Sequence, residues 1–214
     1  MKTTTSIKGK TFIVVGALGK LGSSISEYFI DQGANILAVD LAKEVDPKSL
    51  FSSNQYHYVS GDITNSDSLK SIFKECENVF KYVDGAINAS YPKAANYGKK
   101  FFEVNYDDFC QNISVHIGGY FHFMQQCAKF SIDNERKFSL INFSSIYGVI
   151  PPRFDLYKDT DMTVPVEYAA MKSSIQHLTS YLTALTKGSN FRVNCISPGG
   201  ILDNQDPVFL EKYK

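Results

Sequence analysis

The sequence has no tryptophan, and neither sign of charge prevails: 22 basic residues face 22 acidic ones. A formal charge of zero offers no basic face to nucleic acid or to an anionic membrane surface. No apolar run approaches the roughly 20 residues that a membrane span needs. Residues 1–10 lack the apolar centre of a secretory leader. Cysteine is scarce as well. Cys76, Cys110, Cys127 and Cys195 lie far apart, with no CxxC pair and no metal-like histidine spacing. They read as reduced thiols of a cytoplasmic protein rather than disulfides or ligands, so no metal is expected. No repeat, low-complexity tract or Pro/Gly/Ser linker interrupts the 214 residues, so one domain is expected.

What the chain does have is alternation. Strand-like runs fall at residues 10–15, 35–40, 55–60, 82–88, 138–143 and 191–196, several of them continuously apolar. Continuous apolar strands belong to parallel sheets covered on both faces. Helical stripes lie between them: Leu69, Ile72, Phe73, Cys76, Val79 and Phe80 form one, and Tyr168, Met171, Ile175, Leu178, Leu182 and Leu185 another. A long helix opens near Asn105 and runs to about Phe130, and Pro165 suits a first helical turn. The order predicts an α/β fold, a doubly wound parallel sheet of Rossmann type with six strands.

Directly after the first strand comes Gly16-Ala-Leu-Gly19-Lys-Leu21-Gly22, followed by a helical pattern. Glycines there permit a tight turn and let backbone N–H groups, with the positive helix end, approach a pyrophosphate. Asp40 ends the second strand 18 residues beyond Gly22, close to the spacing of a carboxylate that receives ribose hydroxyls. A strand-end turn role is the alternative for Asp40. Its charge would repel a 2′-phosphate, so NAD is favoured over NADP, while Lys20 inside the turn argues mildly the other way.

Tyr168-Ala-Ala-Met-Lys172 puts a phenol and an ammonium on one helix face. Free tyrosine is a poor base near neutrality, with a pKa of about 10, and a cation beside it favours the phenolate. Upstream, Asn142-Phe-Ser144-Ser145 leaves a strand at its carboxyl end, where ligands bind in open α/β sheets.

With these motifs in this order, the chain resembles the short-chain dehydrogenase/reductase family over essentially its whole length. The resemblance implies that Tyr168 is the general acid/base and that Lys172 binds the nicotinamide ribose and lowers the tyrosine pKa. Ser145 would hold the substrate oxygen, with Ser144 its neighbour. Asp62 and Ile63 look like the pair beside the adenine, and Asn88-Ala89 like the end of the family's Asn-Asn-Ala-Gly turn. Pro198, Gly199 and Ile201 fall in the segment that runs past the nicotinamide.

Some positions depart from the pattern. The glycines are spaced GxxGxxG, as in extended members acting on nucleotide sugars, and 23 residues separate Ser145 from Tyr168. His116 stands where the family has a relay asparagine; it is a substitute catalytic group or a core histidine. Asn112 is another candidate relay, or a packed surface residue. Asp203 replaces a threonine after the Pro-Gly segment, which puts one cofactor contact in question. Relatives continue beyond Leu210 with a helix and a final edge strand, so that strand is expected to be missing.

Residues 146–170, with Tyr147-Gly148, Pro151-Pro152-Arg153 and Met162-Thr163, resemble bacterial oxidoreductases of flagellin, lipopolysaccharide and nonulosonic-acid sugar pathways. A sugar derivative is therefore the expected substrate, with Arg153 and Tyr157 from loop 146–164 as candidate contacts. Solvated surface loops are the plain alternative. A nucleotide-sugar epimerase or dehydratase and a non-catalytic dinucleotide-binding scaffold are the competing functions. Self-association as a homodimer or homotetramer is expected through helices 105–130 and 165–187, unless their apolar residues all face the sheet.

Overall fold

The computed structural model describes residues 6–43 and 54–214, so half of the N-terminal stretch read for a leader lies outside the described residues. Six strands form one parallel sheet: β1 (Thr11–Val15), β2 (Asn35–Asp40), β3 (Tyr56–Ser60), β4 (Gly85–Asn88), β5 (Phe138–Phe143) and β6 (Phe191–Ile196). Their order is β3-β2-β1-β4-β5-β6. The chain therefore winds outward from β1 in one direction and from β4 in the other. Such a reversal opens a crevice at the carboxyl ends of the central strands. β4 is shorter than the apolar run suggested. Asp84 breaks its start, because its carboxylate accepts from the Thr11 N–H at 2.9 Å and from Lys10 Nζ.

The helices are α1 (Lys20–Asp31), α2 (Ser66–Phe80), α3 (Tyr106–Asp133), α4 (Val166–Leu185) and α5 (Pro207–Tyr213). One face of the sheet is covered by α2, α3 and α4. There Phe73, Phe123, Met124, Cys127 and Ile175 pack on Ile13, Leu37, Leu140 and Val193. On the other face Ile25, Phe29 and Ile30 of α1 meet Val14, Ile36, Ala38 and Ile87. Asn65 caps α2 by accepting from the Asp67 and Ser68 N–H groups, and Asn105 caps α3 through Asp108. Pro165 is the residue preceding α4, where its missing N–H costs nothing. The seven-residue α5, which the apolar periodicity does not predict, starts at Pro207 with the Asp206 carboxylate accepting from Val208.

Strand register sets the site. Val15 pairs with Asn88, Asn88 with Asn142, and Asn142 with Cys195. Gly16, Ser90, Ser144 and Ser197 thus follow neighbouring strand ends along one rim. Among the described residues, no helix is long and apolar enough to cross a membrane.

Candidate active site

The glycine turn is built for close approach. Gly16 has φ +74°, and a Cβ there would lie 2.7 Å from the Ser90 backbone. A Cβ on Gly22 would sit 2.1 Å from the Gly16 carbonyl oxygen, so α1 can start this tightly only with glycine. Gly19 precedes α1 with no side-chain cap, and the first helical turn carries no acid, which leaves the N–H groups there for an anion. Asp40 Oδ2 accepts from the Leu18 N–H at 3.0 Å and Oδ1 from Leu41, so the carboxylate is fixed against the turn. A dinucleotide fits these residues: the turn has no side chain in the way and Asp40 stands at the end of the neighbouring strand.

The catalytic candidates stand on the opposite side of the crevice. The two serines divide their work. The Ser144 hydroxyl donates to the Lys172 carbonyl at 2.6 Å, whereas the Ser145 hydroxyl oxygen accepts from the Tyr147 N–H at 3.2 Å and its side chain acts on the Tyr168 phenol. Gly148 lets the chain after Ser145 lie against α4, since a Cβ there would lie 2.7 Å from the Lys172 backbone. Lys172 is buried, donates to the Phe143 carbonyl at 3.0 Å, and lies over the rings of Tyr91, Tyr120 and Tyr168 at 5.2, 5.7 and 5.8 Å. Burial pushes its ammonium down to about 8. Burial also holds the Tyr168 phenol above its ordinary value, and the Ser145 hydrogen bond pulls the other way. The Lys172 ammonium meets the Phe143 carbonyl and aromatic faces here, and it is not among the groups that shift Tyr168.

His116 is fully buried and stacks on Tyr120 with ring centres 5.0 Å apart. Its Nδ1 bonds the Pro92 carbonyl at 2.8 Å, and a carbonyl only accepts, so Nδ1 carries the proton. Nε2 is buried without a partner. Burial first, then Lys172, lowers the imidazole to about 4, so the ring is neutral. Asn112 is buried too, which excludes the surface alternative; its Oδ1 accepts from the Ala94 N–H at 3.0 Å. Both residues anchor loop 90–100 from below.

The cleft between the two halves has a volume of about 710 Å³. Leu21, Ala89, Ser145, Tyr168, Lys172, Pro198, Gly199 and Ile201 line it, as does Tyr157. Asn88 lies buried beneath, its Oδ1 accepting from Ser90. Asp62 turns toward the start of α2, where Oδ1 accepts from Thr64. Ile63 belongs to the core, so only its backbone can meet a nucleotide. Arg153 is brought to none of this. It is exposed and paired with Asp155 at 2.9 Å, outside the cleft lining.

Sequence reasoning overlooked Gln176. Its Nε2 donates to Ser144 Oγ at 3.0 Å, to the Ser145 carbonyl at 3.2 Å and to Ser197 Oγ at 3.1 Å, tying the ends of β5 and β6 together. Its spacing of four from Lys172 was the available signal. Tyr213 and Phe209 of α5 also reach the cleft.

Glycine turn, Ser145, Tyr168 and Lys172 on one crevice define a dinucleotide-dependent oxidoreductase. The chain belongs to the short-chain dehydrogenase/reductase family, whose members use NAD(P). The family model described as Enoyl-(Acyl carrier protein) reductase matches residues 16–206. The chain is 32% identical to post-translational flagellin modification protein A of Campylobacter coli, over 97% of this chain and 83% of that protein. It is 27% identical to a 2,5-dichloro-2,5-cyclohexadiene-1,4-diol dehydrogenase of Sphingobium indicum, covering 92% and 74% of the two chains. It is also similar to the crystal structure of a short-chain dehydrogenase from Leptospira borgpetersenii with bound NAD+. That match has a TM-score of 0.82 and 30% identity, over 97% of this chain and 78% of the other.

Proposed function

We propose that the protein transfers a hydride between NAD and a secondary alcohol or carbonyl borne on an uncharged, sugar-like ring. The dinucleotide supplies the hydride acceptor or donor. In this reading Tyr168 gives or takes the hydroxyl proton, Ser145 holds the substrate oxygen, and Lys172 orients the cofactor ribose. His116 anchors loop 90–100 beneath the site rather than relaying protons. Asp40, facing the ribose, favours NAD over NADP.

One observation carries the substrate class. The cleft is walled by Tyr91, Tyr97, Tyr147, Tyr157 and Tyr168, whereas its cations among the described residues are Lys172, which is buried, and Lys20, which is paired. Aromatic faces with hydroxyl tips suit a hydroxylated ring, and a nucleotide sugar would need cations for its own diphosphate. The name of the flagellin-modifying relative favours a surface-glycan sugar, and the cyclohexadiene-diol relative favours a ring alcohol.

The test is NADH absorbance with a panel of free hexoses, amino sugars, cyclic diols and nucleotide sugars. NADH accumulating over many turnovers with an unphosphorylated ring polyol is the expected result. Conversion of a nucleotide sugar without net NADH would make the protein an epimerase or dehydratase instead. Exposed Phe121 of α3 and Tyr181 and Leu185 of α4 favour self-association through these helices. A monomer by light scattering at micromolar concentration would refute that part.

A further inference from the structure

One departure from the family pattern, Asp203, touches Lys20 of the glycine turn across the cleft. Lys20 is the first residue of α1, within the glycine turn, and Asp203 follows the Pro198-Gly199 segment on the far wall. Lys20 Nζ lies 2.7 Å from Asp203 Oδ1 and also donates to the Leu202 carbonyl at 2.5 Å. Both side chains line the cleft. Asp203 is held in place by its own loop. Its N–H donates to Gln205 Oε1 at 2.7 Å, Gln205 Nε2 donates to the Ile201 carbonyl at 2.6 Å, and the Gly200 N–H donates to the Tyr213 hydroxyl.

We propose that Lys20 is a pyrophosphate-binding residue and that Asp203 holds it as a competing internal anion until the dinucleotide arrives. The proposal rests on the cofactor reading above. The two phosphates of a dinucleotide bring two negative charges to the N-terminus of α1, where Lys20 is the first side chain. Asp203 cannot stay on Lys20 without facing those charges at close range. Lys20 therefore changes partners, and Asp203 with the loop around it moves off. The exchange is easy because the pair is about half exposed at both ends, and such pairs are weak. Asp203 thus lowers cofactor affinity while keeping Lys20 extended across the entrance. A threonine at 203 would do neither.

Calorimetric titration with NAD+ and with ADP-ribose tests this on four proteins: wild type, Asp203→Asn, Lys20→Gln and the double variant. Asp203→Asn is expected to bind NAD+ about three- to fivefold tighter, the upper part of the range an exposed pair spans. Lys20→Gln is expected to bind about tenfold weaker, from loss of a charge-assisted phosphate contact. In the Lys20→Gln background the Asp203 change should alter affinity by less than twofold, and ADP-ribose should follow the same pattern. Unchanged or weaker binding by Asp203→Asn overturns the competition, and a gain that persists without Lys20 reduces it to plain repulsion. Four proteins that bind NAD+ equally refute this proposal alone. A wild type that binds neither probe refutes the cofactor reading with it.

Discussion

The two ends of the cleft are made of different material. At the nucleotide end the working groups are main chain: Gly16 and Ala17 N–H groups on the Val39 carbonyl, Leu18 N–H on Asp40, and the uncapped start of α1. At the catalytic end they are side chains, Ser145, Tyr168 and Lys172, packed among Tyr91, Tyr120 and His116. A backbone site fails when an atom is added, because nothing can move aside. A side-chain site keeps its shape when one polar atom is deleted and fails only in its chemistry. Binding and turnover are therefore separable by mutation.

The largest expected effect breaks the catalytic end alone. Tyr168→Phe keeps the ring beside Tyr91, 6.0 Å away between centres, and removes the transferable proton. Turnover should fall about 10³-fold, within the range for a lost general acid/base, while NAD affinity stays within about threefold. Single-turnover absorbance and NAD titration read the two separately. Parallel losses in both would erase the distinction.

Gly22→Ala is the converse. The added methyl would lie 2.1 Å from the Gly16 carbonyl oxygen, so turn and helix must part. NAD affinity should drop about a hundredfold, because the N–H groups no longer converge on one anion. The melting temperature without cofactor shows whether the loss is local.

Between these extremes lies a pH effect confined to the catalytic end. His116 titrates at about 4 when folded and near 6.5 as a free group, so the unfolded chain takes up the proton first as pH falls. Stability should decline through this group from pH 6.5 down to 4, by about 3 kcal/mol in all. His116→Gln removes that slope while an amide can still donate to Pro92. Denaturant titrations at pH 7, 5.5 and 4.5 compare the two proteins. An unchanged slope in the variant would mean that His116 does not pay for its burial.

Asp40→Ala sharpens the comparison at the nucleotide end, where Asp40 and Lys20 are the side chains added to a backbone site. NADP should gain on NAD by about tenfold, as a carboxylate near the 2′-phosphate is removed. Part of the gain is offset by loss of the acceptor for Leu18 N–H. A wild type that already prefers NADP would overturn the role given to Asp40.

The backbone end was the more legible from sequence, for a physical reason. Glycine spacing, apolar runs and an acidic strand end are local signals, and the strands at 35–40, 138–143 and 191–196 appear with those bounds. The Tyr168–Lys172 spacing is equally local. What sequence could not show is what meets across distance. Lys20 and Asp203 stood out singly, but 183 residues separate them and only the folded cleft makes them a pair. Gln176 was hidden because its three acceptors come from two strand ends. α5 escaped because seven residues carry too little periodicity, although Asp206-Pro207 is a helix-start signature.

The smallest expected effect concerns Arg153, where loop composition suggested a substrate contact and the structure points elsewhere. Its side chain is 61% exposed and its guanidinium is bonded to Asp155, which holds the Asp155 carboxyl below the usual range. Tyr157, at the end of the short 3₁₀ turn Phe154–Tyr157 that Arg153 precedes, instead lines the cleft and packs on Phe209 with ring centres 5.0 Å apart. Arg153→Ala should leave KM for a ring polyol within twofold and the melting temperature almost unchanged, since a fully exposed pair is screened by solvent. Tyr157→Ala should raise KM several-fold by opening one aromatic wall. The pair of measurements decides which side of this turn the substrate meets. A larger KM change for Arg153→Ala than for Tyr157→Ala would place the guanidinium on the substrate and require the turn to rotate when substrate binds.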